Sequence, residues 1–268
     1  MIERFSQMPS ALRANARWQR LGASKIPALL VHPSWDSGRR VPVVLWMHGR
    51  TVKKELDPGR YLRWMRAANG GIATCAVDLP GHGERFDASL QQAHRAFEVV
   101  MQMISEIDGI VDAIVDLGVF DHSRLAIGGM SAGGMAALAR LCRPHPFRCA
   151  SVEATTGSWD HQAEREMFRD VADTEIAALN PIEHLDSWRE IPFQALHARH
   201  DEWVPLAGQQ AFIEALRARA SDPDLIEFIV YDQTGAPNEH QGFGRMASEA
   251  KDKQRDFFQR WLTHPVVS

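Results

Sequence analysis

Cysteine is scarce in this sequence. Cys75, Cys142 and Cys149 are the whole complement, they sit in apolar surroundings, and no C-x-x-C pair occurs. An odd count at irregular spacing excludes a disulfide framework and a structural zinc site, and leaves three small buried hydrophobes of a reducing compartment. Long hydrophobic runs are missing too: nothing approaches the roughly 18 uninterrupted apolar residues that a membrane span needs. The stretch from Met1 to Arg20 has no apolar core of the kind a secretory signal carries. A basic excess is also absent. Thirty Lys and Arg stand against 34 Asp and Glu, a formal net charge of −4, so neither nucleic acid nor an anionic membrane is an expected partner. The arginines at 60, 63 and 66 read as the solvated face of a helix. A cytoplasmic location follows as the expectation.

What is present is a chain of 268 residues, 45% hydrophobic, enough for one large globular core. Met1 to Arg17 carries apolar residues at scattered helical spacing and is expected to be helical. Trp18–Leu21 and Ile26–His32 then read as early strands. Val41–Met47 is a nearly continuous apolar run, the pattern of a strand covered on both faces, Ile72–Val77 is the next buried strand, and Cys149–Ala154, Phe193–His197 and Ile226–Tyr231 read as further strands. Between them lie helical patterns over Tyr61–Asn69, Phe97–Leu117, Leu206–Ala220 and Ser248–Leu262. Strands alternating with helices imply an α/β domain spanning 1–268, with a mostly parallel sheet of about eight strands and helices on both faces. Residues 155–190 break the alternation, being too long for one crossover helix. They are expected to form a small helical cap over the sheet.

The most informative stretch is Arg124–Leu138. An apolar strand ends in Gly129-Met130-Ser131-Ala132-Gly133, and an Ala/Leu-rich helix begins at once. This is G-x-S-x-G in a strand–turn–helix context, the nucleophile elbow. A serine at the tip of a strained turn needs glycine on both sides, because a Cβ there would strike the flanking strand or helix. The helix that follows turns its free N–H groups toward any oxyanion forming at the serine.

A serine nucleophile needs a base, and the base needs a carboxylate to orient it. Asp201 lies just past a strand end and before Val204-Pro205, and is the chosen acid, with Glu202 and Asp232 as weaker alternatives. His240 is the one histidine in the loop after the last strand and is the expected base. The backbone N–H groups of Arg50 and Ala132 are the expected oxyanion donors. The Arg50 side chain either meets an anionic substrate group or, the more ordinary reading, pairs with Glu84 or Asp78.

As an ordered set, His48-Gly49, Asp78-x-Pro80-Gly81-His82-Gly83, Gly129-x-Ser131-x-Gly133, Asp201-x-x-Val204-Pro205 and His240 resemble the α/β-hydrolase superfamily. Within it the chain is similar to the serine esterases of the dienelactone-hydrolase and prolyl-oligopeptidase-like branch, small bacterial carboxylesterases among them. The resemblance covers nearly the whole chain. It implies an α/β-hydrolase fold and hydrolysis of small-molecule carboxylic esters through an acyl-enzyme, with no cofactor and no metal, by a monomer or homodimer. Dienelactone hydrolases proper use a cysteine nucleophile; a serine here makes dienelactone itself a poor substrate. His48, Gly49, Phe86, Met130, Trp159 and Trp188 are expected to line a largely apolar pocket suited to short or medium acyl chains. A peptidase, amidase or thioesterase of the same fold is the alternative. A metallohydrolase built on His197-x-x-His200-Asp201 lacks the tight ligand pattern such a site needs. A non-catalytic binding module would show a degraded triad, whereas this one is complete.

Overall fold

The apolar runs do pair into one sheet. In the computed structural model, which describes residues 8–263, eight strands run in the order β1-β2-β4-β3-β5-β6-β7-β8. They are β1 Ala16–Leu21, β2 Ile26–Val31, β3 Val41–Met47, β4 Ala73–Val77, β5 Phe120–Met130, β6 Cys149–Glu153, β7 Phe193–Ala198 and β8 Ile226–Tyr231. From β4 to β8 all pairings are parallel, and β1 and β2 add an antiparallel edge.

Side chains alternate across each strand with period two, so each buried strand feeds two cores. Leu30, Val43, Leu45, Ile127 and Val152 pack on one face with α3 (Ala96–Asp116), α4 (Ala132–Leu141) and α6 (Leu206–Arg219). Leu29, Val31, Val44 and Trp46 pack on the other with α1 (Ser10–Ala14), α2 (Pro58–Met65) and α7 (Ala247–Thr263). This is the α/β-hydrolase fold. The three cysteines are free and buried. Burial pushes the Cys142 thiol up to about 12 and moves those of Cys75 and Cys149 in the same direction. Among the described residues no helix is long and apolar enough to cross a membrane.

Two expectations need correction. Among the described residues the N-terminal helix is α1 alone, and Ala16 and Arg17 already belong to β1; residues 1–7 of that expected helix lie outside the described part. Pairing with all of β2 outweighs a weak helical pattern. Helix α2 starts earlier than Tyr61, at Pro58, where the Asp57 side chain accepts the Arg60 N–H. It ends at Met65 rather than Asn69. The chain must turn at once to enter β4, and the Ile72 N–H is already bonded to the Trp64 carbonyl.

Candidate active site

The elbow forms because β5 is followed by small residues only. Ser131 takes φ 52° and ψ −118°, a conformation costly for any residue but glycine and held here by its surroundings. Its N–H donates to the Glu153 carbonyl at 3.0 Å, and its own carbonyl accepts from Met135 N–H at 2.9 Å and the Thr155 hydroxyl at 2.8 Å. A Cβ on Gly129 would lie 2.6 Å from the Gly133 backbone carbon and 2.7 Å from the Met47 oxygen; one on Gly133 would lie 2.6 Å from the His48 oxygen. Only glycine fits at either position. Gly49 lies beside the serine without that crowding: a Cβ there would stand 3.4 Å from the Cβ of Ser131, an ordinary contact. The residue after it, Arg50, therefore flanks the serine across from Ala132, which opens α4 with an N–H that no earlier helical residue can engage.

Asp201 and His240 converge on this serine. His240 Nε2 is 3.0 Å from Ser131 Oγ, and His240 Nδ1 is 2.8 and 3.0 Å from the two Asp201 oxygens. Asp201 Oδ1 also accepts the N–H groups of Trp203 and Val204, at 2.9 and 2.7 Å. Those backbone donors and the imidazole fix the carboxylate in position. Asp201 and His240 are both buried. The loop before His240 is stapled by Glu239, whose carboxylate accepts from Thr234 and Gly235. Asn238 ties it to Glu202 by 2.9 Å and 3.1 Å bonds. Glu202, one alternative acid, is thereby engaged away from the imidazole, and Asp232, the other, pairs with Arg199 at the surface.

Ser131 and His240 open into a cavity of about 510 Å³ that His48, Gly49, Arg50 and Met130 also line. Trp46, Leu56, Tyr61 and Phe243 supply its apolar wall, and Asp57, Arg60, Glu153 and Lys251 a charged floor. That floor is internally paired. Arg60 bonds Glu153 at 2.7 Å and Asp57 at 3.1 Å, and Lys251 bonds Asp57 at 2.9 Å.

Three pocket expectations are overturned by placement. Trp159 is fully buried against Phe97 and Phe168 in the main core. Trp188 packs edge-on against Phe193 and Phe212. Phe86 is 66% exposed and outside the cavity. The aromatics of residues 155–190 thus serve the core, because the segment consists of short turns and the five-residue helix α5 (Asp173–Ala177) laid on the domain. Arg165 is the residue by which that segment reaches the cavity.

Arg50 pairs with neither Glu84 nor Asp78. Those two carboxylates hold Lys54 Nζ at 2.6 and 2.8 Å, and Asp78 further accepts the N–H groups of Lys54 and Glu84. The Asp78-to-Gly83 motif is thus a structural knot. Gly83, with φ +57°, lies against the Asp78 carboxylate where no Cβ fits, and these bonds hold the Asp78 carboxyl well below the usual range despite its burial. His48 is part of the same knot: Nδ1 donates to the Gly49 carbonyl at 2.6 Å and Nε2 accepts Leu79 N–H. His197 Nε2 meets the Val204 carbonyl at 2.8 Å, and among the described residues no three His, Cys, Asp or Glu side chains gather as a metal site.

Trp203 was not singled out by the sequence. Its ring lies 4.9 Å from that of His240 and lines the cavity, shielding the imidazole. A large aromatic two residues after the expected acid was the available signal.

Known proteins resemble this chain at several levels. The profile of the prolyl oligopeptidase family matches residues 62–265. Esterase YjfP of Escherichia coli is 25% identical over 211 residues, covering 72% of this chain and 83% of that protein. The crystal structure of TT1662 from Thermus thermophilus superposes with a TM-score of 0.72 at 21% identity, covering 93% of this chain and 99% of that one. A puromycin-hydrolyzing peptidase of Mycobacterium tuberculosis gives a TM-score of 0.74 at 19% identity, over 96% of this chain but 41% of the peptidase. With the family profile spanning well over half its length, this chain belongs to the prolyl oligopeptidase family and is a serine hydrolase with the α/β-hydrolase fold.

Proposed function

We propose that the protein cleaves small carboxylic esters with short to medium acyl chains, using Ser131 as nucleophile, His240 as general base and acid, and Asp201 as its orienting carboxylate. The observation that carries this reading is the unbroken relay from Asp201 Oδ2 through the imidazole to Ser131 Oγ, 2.8 and 3.0 Å long, at the wall of an open cavity.

His240 Nε2 takes the hydroxyl proton as Oγ bonds to the ester carbonyl carbon. Asp201 accepts the Nδ1–H, fixing the tautomer and stabilising the imidazolium that forms. The carbonyl oxygen, now an oxyanion, is held by the N–H groups of Arg50 and Ala132 at the start of α4, where the helix dipole favours negative charge. Collapse breaks the ester C–O bond, and the alcohol leaves with the proton from Nε2. Water, deprotonated by the same nitrogen, then releases the acid and restores Ser131. Every acid, base and oxyanion donor in these steps belongs to the chain. The apolar wall of Trp46, Leu56, Met130 and Phe243 suits an acyl chain of a few carbons. Residues 155–190 act as a small cap that meets the cavity through Arg165. Ester cleavage is favoured by the likeness to Esterase YjfP, which extends over 83% of that protein.

Initial rates on 4-nitrophenyl esters of increasing chain length test the proposal. Hydrolysis that declines with chain length, and falls by about six orders of magnitude in Ser131→Ala, is the expected outcome. A folded wild type inert toward esters but active on amides or thioesters would overturn the ester assignment. Near-normal ester turnover in the variant would overturn the nucleophile.

A further inference from the structure

Three arginines line this cavity, and one of them is neutralised: Arg60 meets Asp57 and Glu153. Arg50 and Arg165 differ. Both line the cavity that holds Ser131, both are half-buried, and among the described residues neither has a carboxylate within ion-pairing distance. A guanidinium carries five N–H donors. Arg50 donates from Nη2 to the Gln91 carbonyl at 2.6 Å, while its Nε is buried without a partner. Arg165 donates from Nη1 to Gln162 Oε1 at 2.6 Å. Burial disfavours both charges. It holds the Arg165 guanidinium below its usual range, and the positive charge of Arg50 adds to the effect, with Asp201 only partly offsetting it. Arg50 is depressed in the same way, with Glu166 only partly offsetting the burial.

Two like charges drawn out of water into one wall, with donors left unused, destabilise the free protein unless something negative joins them. A carboxylate is the group whose planar pair of oxygens matches a guanidinium fork. The position is also apt, since Arg50 follows the glycine that stands against Ser131. An anion held there is close to the scissile bond without being the reacting group.

We propose that Arg50 and Arg165 form an anion-binding subsite, and that the preferred substrate is an ester carrying a free carboxylate beside the scissile bond. This rests on the ester-hydrolase reading of the same site and narrows it to half-esters of dicarboxylic acids or esters of hydroxy acids. Arg50 thereby has two separate roles: its backbone N–H serves the oxyanion, and its side chain the remote carboxylate.

Two measurements separate the claims. Calorimetric titration of Ser131→Ala with monomethyl glutarate and with methyl butyrate reads binding without turnover. The half-ester is expected to bind roughly tenfold tighter or more at low ionic strength, the scale of one charge-assisted hydrogen bond. That advantage is expected to shrink with added salt, to vanish in Ser131→Ala/Arg165→Gln, and to return in part with Arg165→Lys. In parallel, kcat/KM of the wild type is compared on 4-nitrophenyl butyrate, mono-4-nitrophenyl glutarate and 4-carboxyphenyl butyrate. Preference for either carboxylated ester, lost in Arg165→Gln, supports the subsite and shows which side of the bond carries the charge. Equal binding of the two probes, or a preference that survives Arg165→Gln undiminished, overturns it. Tight half-ester binding with no turnover of any ester would instead overturn the hydrolase reading and leave the subsite standing.

Discussion

Replacing Arg60 by methionine should unfold the cavity floor from within. Arg60 is 4% exposed and lies 4.3 Å over the Trp46 ring. It joins α2 to Glu153 at the end of β6, to Gln254 on α7 and to Asp57 at its own helix start. Methionine replaces most of the stem volume but none of the charge. Asp57 keeps Lys251 and has some access to water, so the exposed partner is compensated. Glu153 is not: it is 2% exposed and retains only a 3.4 Å bond from Gln254. Breaking a buried pair from one side typically costs about 3–5 kcal/mol, against a total stability of roughly 5–15 kcal/mol. For a domain of this size that is a fall in Tm on the order of 10 °C.

The pH dependence fixes the cause of that loss. Burial already pushes the Glu153 carboxyl above its usual range with Arg60 beside it, and removing Arg60 raises it further. A carboxyl raised in the folded state is most costly well above its folded value, and the cost disappears as pH falls and the proton binds. Urea denaturation at pH 7 and pH 5 should therefore show the Arg60→Met deficit narrowing at the lower pH. Arg60→Met/Glu153→Gln should lose at least about 1 kcal/mol less than the sum of the single changes. A deficit under about 1 kcal/mol that is flat with pH, or strict additivity of the two changes, would refute the reasoning.

Gly133→Ala places a methyl against the Met47 and His48 carbonyls and should cost about 1–3 kcal/mol. It should also lower kcat by shifting α4, which a thermal melt and ester kinetics on one sample would read; an unchanged kcat would contradict the proposed use of the α4 terminus. Burial lowers the His82 imidazole to about 4: Nδ1 donates to the Pro80 carbonyl and Nε2 has no partner. Its contribution is complete above the unfolded value of about 6.5 and is lost as pH falls toward 4, at most about 3 kcal/mol. His82→Asn should flatten the stability curve across that window, and parallel curves for the two proteins would count against it.

Much of this architecture is readable in the chain because buried parallel strands announce themselves as continuous apolar runs. Val41–Met47 and Ile226–Tyr231 coincide with β3 and β8 to the residue. The elbow is legible for a local reason: Gly129 and Gly133 are demanded by backbone contacts within a few residues of Ser131 and by the end of β3. Asp201 and His240 were found from chain order, since each follows the strand whose end faces the serine. The pocket was not legible. Trp159 and Trp188 have the composition of ligand-contacting aromatics, but only packing decides whether such a ring meets a core or a cavity, and Phe97, Phe193 and Phe212 claim them. Arg165 has the opposite history. It sits in the charged stretch expected to form the cap, and its place beside Arg50 depends on how turns without regular spacing fold back on the domain.

The most direct test of the central claim is intact-mass and peptide analysis after exposure to a fluorophosphonate, which traps activated serines. One adduct per chain, mapped to Ser131, slowed strongly in His240→Ala and absent in Ser131→Ala, is the expected result. An unlabelled wild type, or an adduct on any other residue at the same rate in Ser131→Ala, would contradict the account.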